Sequence, residues 1–265
     1  MADHAMTAGL RQVAWVTGAS RGIGYALACA LAEDGWVVAA SARNAAELDV
    51  LAAECAAFLG EVRPYPLDIT DAEAAAAIVP IIEAEVGDIA LAILNAGTHE
   101  PVDGRALSVG PFRRLMETNY MGSVNCLVPV AERCVARGAG RIAIVSSLAG
   151  YRGLPTASAY GASKAALINM CEALRPELEA AGVVLSVITP GFVRTPLTDR
   201  NPFPMPFLID ADVAALRILR GVAGNRFEIT CPRRFAFLMK LVRILPYELF
   251  FLLTRRVRPT RADDN

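Results

Sequence analysis

The stretch Val13-Ala14-Trp15-Val16-Thr17-Gly18-Ala19-Ser20-Arg21-Gly22-Ile23-Gly24 decides how the chain is read. Val13–Thr17 is a short β-rich apolar run, and a helical pattern, Gly24–Asp34, follows the glycines at once. Glycines between a strand and a helix permit a tight turn and let the backbone approach a pyrophosphate, whose negative charge rests at the helix N-terminus. Gly18, Ser20, Arg21, Gly22, Ile23 and Gly24 are therefore the expected phosphate-side residues of a dinucleotide site, although the spacing G-x-x-x-G-x-G differs from the better-known G-x-G-x-x-G. The same residues also satisfy G-x-S-x-G, a hydrolase nucleophile elbow with Ser20 as nucleophile. That elbow needs a histidine late in the chain, and none follows His99.

Outward from this turn, apolar runs alternate with helical patterns to about Thr230. The expected strands are Val13–Thr17, Val37–Ser41, Val62–Pro66, Ile89–Asn95, Arg141–Ser146, Val183–Thr189 and Phe227–Thr230. The expected helices are Gly24–Asp34, Ala45–Leu59, Asp71–Val86, Pro111–Arg137, Ala159–Ala181 and Asp210–Gly221. Continuously apolar strands joined by helices predict a doubly wound parallel sheet of about seven strands with helices on both faces. No repeat or linker interrupts the pattern, so residues 1–232 are expected to form one dinucleotide-binding and catalytic domain. Within it, 192–209 reads as a substrate lid, with Phe203, Met205 and Phe207 among closely spaced prolines.

Composition narrows the function classes. At 265 residues, 54% hydrophobic and net charge −1, the chain suits a compact globular protein rather than a disordered or nucleic-acid-coating one. Six scattered cysteines without a C-x-x-C pair read as small hydrophobes in a reducing compartment. Two histidines, His4 and His99, argue against a zinc site or a His-based triad; His99 reads as a surface residue at the cleft mouth. No secretory signal and no apolar run of the ~18 residues a membrane span needs is visible, so a cytoplasmic location is expected.

Further along, the second strand ends Ser41-Ala42-Arg43. An NAD site would want a carboxylate here to bond the ribose 2′-hydroxyl, but Ala42 occupies that slot. Arg43 with Arg21 could instead clamp a 2′-phosphate, which favours NADP over NAD. Asp68 could accept from an adenine amino group or mark a helix start. Asn95-Ala96-Gly97 is a small-residue turn where a nucleotide could pass close to the backbone. Tyr160 and Lys164 stand four apart, on one face of a helix. A nearby ammonium favours the phenolate and draws the tyrosine pKa of roughly 10 toward the working range.

Taken together, Thr17–Gly24, Asp68, Asn95-Ala96-Gly97, Asn119, Ser147, Tyr160-x-x-x-Lys164 and Pro190-Gly191 resemble the short-chain dehydrogenase/reductase family over about residues 12–230. The resemblance implies a Rossmann-type fold. It implies Tyr160 as proton donor or acceptor, Lys164 tuning it and holding the nicotinamide ribose, and Ser147 rather than Ser146 polarising a carbonyl. Asn119 would secure a water linking Lys164 to solvent. Pro190, Gly191, Val193 and Thr195 would contact the nicotinamide end, and a homo-dimer or homo-tetramer is expected.

The implied activity is hydride transfer between NADP(H) and a small hydrophobic carbonyl or secondary alcohol, with no nucleic-acid partner and no metal. A non-catalytic NADP-binding sensor or scaffold is the alternative, although such a module has no need of Ser147, Tyr160 and Lys164 together. A nucleotide-sugar epimerase is disfavoured, because the chain has little room for a separate substrate domain.

Residues 233–265 differ from the rest: eight basic residues against three acidic give +5, leaving −6 elsewhere. Phe235, Leu238, Met239, Leu241, Val242 and Leu245 form a broad apolar face before Pro246, and Leu249–Leu253 is wholly apolar. This basic amphipathic extension is expected to be helical. It would pack over the substrate pocket or a partner subunit, or lie on an anionic membrane surface through 233–258, making the protein peripheral.

Overall fold

The computed structural model describes residues 11–199 and 205–255. Seven strands, β1 Val13–Thr17, β2 Val37–Ser41, β3 Glu61–Pro64, β4 Ile89–Leu94, β5 Gly140–Val145, β6 Val183–Pro190 and β7 Glu228–Cys231, make one sheet in the order β3-β2-β1-β4-β5-β6-β7. Every neighbouring pair is parallel. All five residues of β1 are buried, with Val13 and Trp15 facing one core and Ala14 and Val16 the other. A strand covered on both faces reads as a near-continuous apolar run, and β1 does so up to its last residue, Thr17, whose hydroxyl accepts from the Asn95 and Ala96 amides.

Three helices, α1 Gly22–Glu33, α2 Ala45–Glu54 and α7 Ala211–Ala223, fill one face through Leu27, Leu31, Leu48, Leu51 and Ile218. On the other face lie α3 Ala72–Val86, α5 Gly122–Arg137 and α6 Ser158–Ala180, contributing Val79, Ile82, Leu127, Val130 and Leu167. The chain winds outward from β1 to β3, then crosses back to place β4 on the other side of β1. The connections leaving β1 and β4 therefore diverge, and a crevice opens beyond their carboxyl ends.

Most expected elements shift by one or two residues at an end, and two expected helices differ by more. The Ala45–Leu59 segment leaves the helix after Glu54, where the Cys55 amide closes on Leu51 O at 3.1 Å. The single helix expected over Pro111–Arg137 is three pieces: α4 Val109–Leu115, a π-helical stretch Met116–Met121, and α5. The wider turn carries the wholly buried Asn119, whose carboxamide is saturated by neighbours outside the helix. The extension forms α8 Arg233–Ile244 and α9 Tyr247–Thr254, parted at Leu245-Pro246 as the proline requires.

At the amino ends of the strands, opposite the crevice, Glu83 is buried, its side chain only 3% exposed. It accepts from Arg133 and Arg137 at 2.5 Å each, and from the Ile89 amide at 3.3 Å. Burial alone would raise its pKa, but the two guanidiniums and the amide outweigh that and hold it below the ordinary glutamate value. A depressed carboxylate contributes stability that is present above the unfolded pKa and lost as pH falls through the folded one. Glu83→Gln should therefore destabilise the fold by about 3 kcal/mol, the scale of breaking a buried ion pair. In thermal unfolding, the gap from the parent chain should be full at pH 7 and close as the pH falls below the carboxylate range.

Candidate active site

The crevice is built by backbone segments that approach too closely for side chains. Gly18 and Gly22 hold positive φ, at 67° and 61°. A Cβ on Gly18 would lie 2.8 Å from Ala96 Cα; one on Gly24 would lie 2.2 Å from Gly18 O and 2.5 Å from Asn95 Nδ2. Asn95 fastens this arrangement: its amide N donates to Thr17 Oγ1 at 3.0 Å, and its carboxamide donates to Thr17 O at 3.0 Å and Gly18 O at 3.2 Å. Thr17 Oγ1 also accepts from the Ala96 amide at 3.1 Å. The ends of β1 and β4 are thereby locked together, and α1 begins at Gly22 with no side chain capping its first turn.

A cleft of about 700 Å³ runs over this floor, lined by Gly18, Ser20, Arg21, Gly22, Ile23, Arg43, Asp68, Asn95, Ala96 and Gly97. A contiguous pocket of about 110 Å³ continues it past Ile23, Asn95 and Gly97 to Ser147, Tyr160, Lys164, Pro190, Gly191, Val193 and Thr195. Of the crevice residues expected from the sequence, all but Gly24 and Asn119 line one of these two spaces; Gly24 is buried beneath the turn, and Asn119 lies behind, its Oδ1 3.1 Å from where a Gly97 Cβ would be.

At the outer end, Arg21 and Arg43 are exposed. Asp68 accepts from the Thr70 amide at 3.0 Å and the Thr70 hydroxyl at 2.8 Å, bonds that lower its pKa, with Arg43 adding to the effect. The N-cap of α3 is Asp71, not Asp68. Glu47, a cleft residue that the sequence reading did not single out, is held below the ordinary glutamate value by the Ser20 hydroxyl. Its position at the first turn of α2, four residues past Arg43, was the available signal.

At the inner end, Ser146 and Ser147 diverge. The Ser146 hydroxyl is buried and donates to Lys164 O at 2.7 Å; Ser147 opens a short 3₁₀ turn, accepting from the Ala149 amide at 3.1 Å. Lys164 is 3% exposed, and its ammonium donates to Val145 O at 2.8 Å. Burial lowers its pKa to about 8. Asn119 Oδ1 accepts from the Thr98 amide at 2.8 Å, while its Nδ2 donates to Thr98 O and Ser163 Oγ, each at 3.0 Å.

The acidified tyrosine expected from the sequence is not present in the chain by itself. Burial raises the Tyr160 pKa, the Ser147 hydroxyl draws it part of the way back, and the ammonium faces Val145 O, 5.9 Å from the ring centroid. His99, expected at the surface, is instead packed edge-on to Tyr160, with ring centroids 4.7 Å apart and planes at 70°. Its Nδ1 is buried without a hydrogen-bond partner, and burial keeps the imidazole neutral at pH 7. The turn after β4 carries it directly to the tyrosine.

The ends of the lid segment are fastened: Arg194 N donates to Ile209 O at 2.8 Å and Ile209 N to Phe192 O at 3.1 Å. Phe192 and Phe207 both stack on Phe235 of α8, at 5.4 and 6.0 Å. Residues 200–204, including the lid's Phe203, lie outside the described residues.

With this geometry in view, the family model described as short chain dehydrogenase matches residues 12–202. The chain belongs to the short-chain dehydrogenase/reductase family. It is 37% identical over 247 residues to an uncharacterized oxidoreductase of Myxococcus xanthus, covering 93% of this chain and 98% of that one. A 3-oxoacyl-[acyl-carrier-protein] reductase of Synechocystis is 31% identical, with 86% and 92% of the two chains covered. Among solved structures, a short-chain dehydrogenase from Sphingobium yanoikuyae in complex with NADPH superposes with a TM-score of 0.78 at 25% identity, over 96% of this chain and 99% of that one. This is an oxidoreductase family whose members bind a nicotinamide cofactor.

Substituting Gly24 tests the floor of the crevice. Gly24→Ala places a methyl carbon against Gly18 O, and relieving that overlap costs about 1–3 kcal/mol. A purified Gly24→Ala chain should show a lowered Tm and, where the shifted floor costs binding about 1.4 kcal/mol or more, at least ~10-fold weaker nicotinamide-cofactor binding by fluorescence titration.

Proposed function

We propose that the protein is an NADP(H)-dependent oxidoreductase acting on a hydrophobic carbonyl or secondary alcohol, with Tyr160 as general acid/base. The observation that carries this reading is the convergence of Ser147, Tyr160 and Lys164 on one pocket continuous with the glycine-floored cleft. That cleft fits a dinucleotide: its floor is backbone that a Cβ would fill, and its outer end presents Arg21 and Arg43 with no carboxylate at Ala42. Gly18, Ser20, Gly22 and Ile23 would hold the pyrophosphate, Arg21 and Arg43 a 2′-phosphate, and Asp68 the adenine. Asn95, Ala96 and Gly97 would flank the chain of the cofactor, with Lys164, Pro190, Gly191, Val193 and Thr195 around the nicotinamide end. NADP(H) supplies the hydride when bound.

The side chains supply the rest. As a carbonyl is reduced, negative charge grows on its oxygen, and hydroxyl donors aimed at that oxygen stabilise it. Ser147 donates one hydrogen bond, and Tyr160 donates another and then its proton. The raised pKa of Tyr160 keeps that proton in place at neutral pH, which suits the reducing direction. Lys164, cationic below about pH 8, favours the phenolate that remains. Asn119 holds the Thr98 and Ser163 groups behind the pocket. A hydrophobic substrate is favoured by Phe192, Phe207 and Phe235 beside Gly191. Six free thiols support residence in a reducing compartment. Family likeness supports a homo-dimer or homo-tetramer.

A panel of hydrophobic ketones and aldehydes, followed by NADPH oxidation, tests the reading. Tyr160→Phe should lower turnover by at least ~10², the contribution of a placed acid, with NADPH affinity within a few-fold of the parent. Undiminished turnover in that variant would refute the assignment, and no turnover by the parent with any substrate would favour a binding module. Arg43→Ala should weaken NADPH binding by about tenfold or more while leaving NADH binding little changed, the loss of one charge-assisted phosphate contact.

Lys164 gives a stability signature. A folded pKa of about 8 against 10.5 unfolded means the charged lysine costs about 3 kcal/mol at neutral pH, a cost that fades as pH rises toward 10.5. Lys164→Met should therefore lose activity yet melt no lower than the parent at pH 7, with any gain shrinking at pH 10. A Tm well below the parent at pH 7 would mean that the lysine is structural.

A further inference from the structure

The extension places an unpartnered apolar surface on the outside of the protein. Nineteen large hydrophobic side chains are exposed among the described residues, and nine of them lie in α8 and α9. Ile244 is 77% exposed, Phe237 65% and Tyr247 64%; Leu241, Phe251 and Leu252 are exposed as well. These are outward residues of helices whose inward sides are already engaged. Phe235 stacks on Phe192 and Phe207, Ala236 and Met239 are buried, and Phe250 is 5% exposed. Packing on the ends of the lid segment and on the body of the domain thus accounts for the inner side and leaves the outer side without a partner among the described residues.

The two helices are also held at a fixed elbow by the body of the protein. The Arg152 guanidinium donates to Arg243 O at 3.0 Å and Leu245 O at 3.3 Å, and its Cζ lies 4.6 Å from the ring centroids of both Tyr247 and Phe250. Lys240 pairs with Glu228 of β7, which in turn accepts from Tyr151. The outer surface cannot turn inward without breaking these ties.

Charge identifies the occupant. Arg233, Arg234 and Arg243 of α8 and Arg255, just past the end of α9, are exposed, against one exposed acid, Glu248. A second copy would set this positive surface against itself, whereas an anionic lipid surface complements it. Neither helix is long enough to cross a bilayer, and among the described residues no helix is long and apolar enough to do so. We propose that α8 and α9 form an interfacial anchor that lies on anionic membranes, with the apolar outer side in the acyl boundary and the arginines among the headgroups.

Flotation of the full chain with vesicles tests this without any substrate. The probes are phosphatidylcholine vesicles with and without about one third phosphatidylglycerol, at low salt and at 0.5 M, where screening is strong. The expected result is at least ~10-fold more protein floating with the anionic vesicles at low salt, reduced by high salt, because each basic residue adds about 1 kcal/mol of attraction. The double variant Ile244→Asp with Phe251→Asp should lose flotation while keeping the parent's circular dichroism and NADPH affinity. If the parent does not float with either vesicle, or the double variant floats as well as the parent, the proposal is wrong. It is equally overturned if light scattering shows the double variant to be a smaller oligomer than the parent, for then the surface joins copies of the chain.

Discussion

Everything at the working end of this protein depends on how closely three backbone segments approach at the ends of β1 and β4. Asn95 ties the Asn95-Ala96 backbone to Thr17 and Gly18, and glycine at 18 and 24 leaves no Cβ to keep them apart. The strand order makes this the place where connections diverge, so a close-packed floor beneath a crevice follows from topology. The elements farther along β5, α6 and β6 then have a fixed frame on which Ser147, Tyr160 and Lys164 meet.

The second constraint is a buried cation. Lys164 lies in the interior with its ammonium donating to the Val145 carbonyl, and burial presses its pKa down to about 8. Natural cores rarely hold such a group unless something is gained. Here a charge placed behind the tyrosine can act on whatever negative charge forms in the pocket, at a cost to stability of the free chain. Perturbed titratable groups clustered in a cleft are the usual mark of chemistry rather than of architecture.

Much of this was legible in the amino-acid order because period and punctuation carried it. Strands buried on both faces are apolar almost throughout, with polar Thr17 and Ser41 only at their carboxyl ends, so Val13–Thr17 and Val37–Ser41 were recoverable to the residue. The glycine turn, Asn95-Ala96-Gly97 and the Tyr160/Lys164 pair were visible as local patterns, and the break at Pro246 followed from the missing amide. The π-helical turn around Asn119 was not, since its widening answers to Thr98 and Ser163, partners 21 and 44 residues away. His99 was misplaced for the same reason: exposure of a loop residue is set by what it packs against, and the Tyr160 ring comes from a distant helix. Four-residue spacing put tyrosine and lysine on one face but could not say that the ammonium would turn to Val145 O.

The central claim is that a nicotinamide dinucleotide occupies the crevice from Arg43 to Tyr160. Hydrogen–deuterium exchange of the full chain with and without saturating NADPH tests it most directly. The account predicts slowed exchange along the crevice, clearest at the 18–24 turn, the 95–98 turn and the 191–198 segment, with the outer faces of α3 and α5 unchanged. Exchange that is unaltered at all three turns, or protection concentrated away from the crevice, would contradict it.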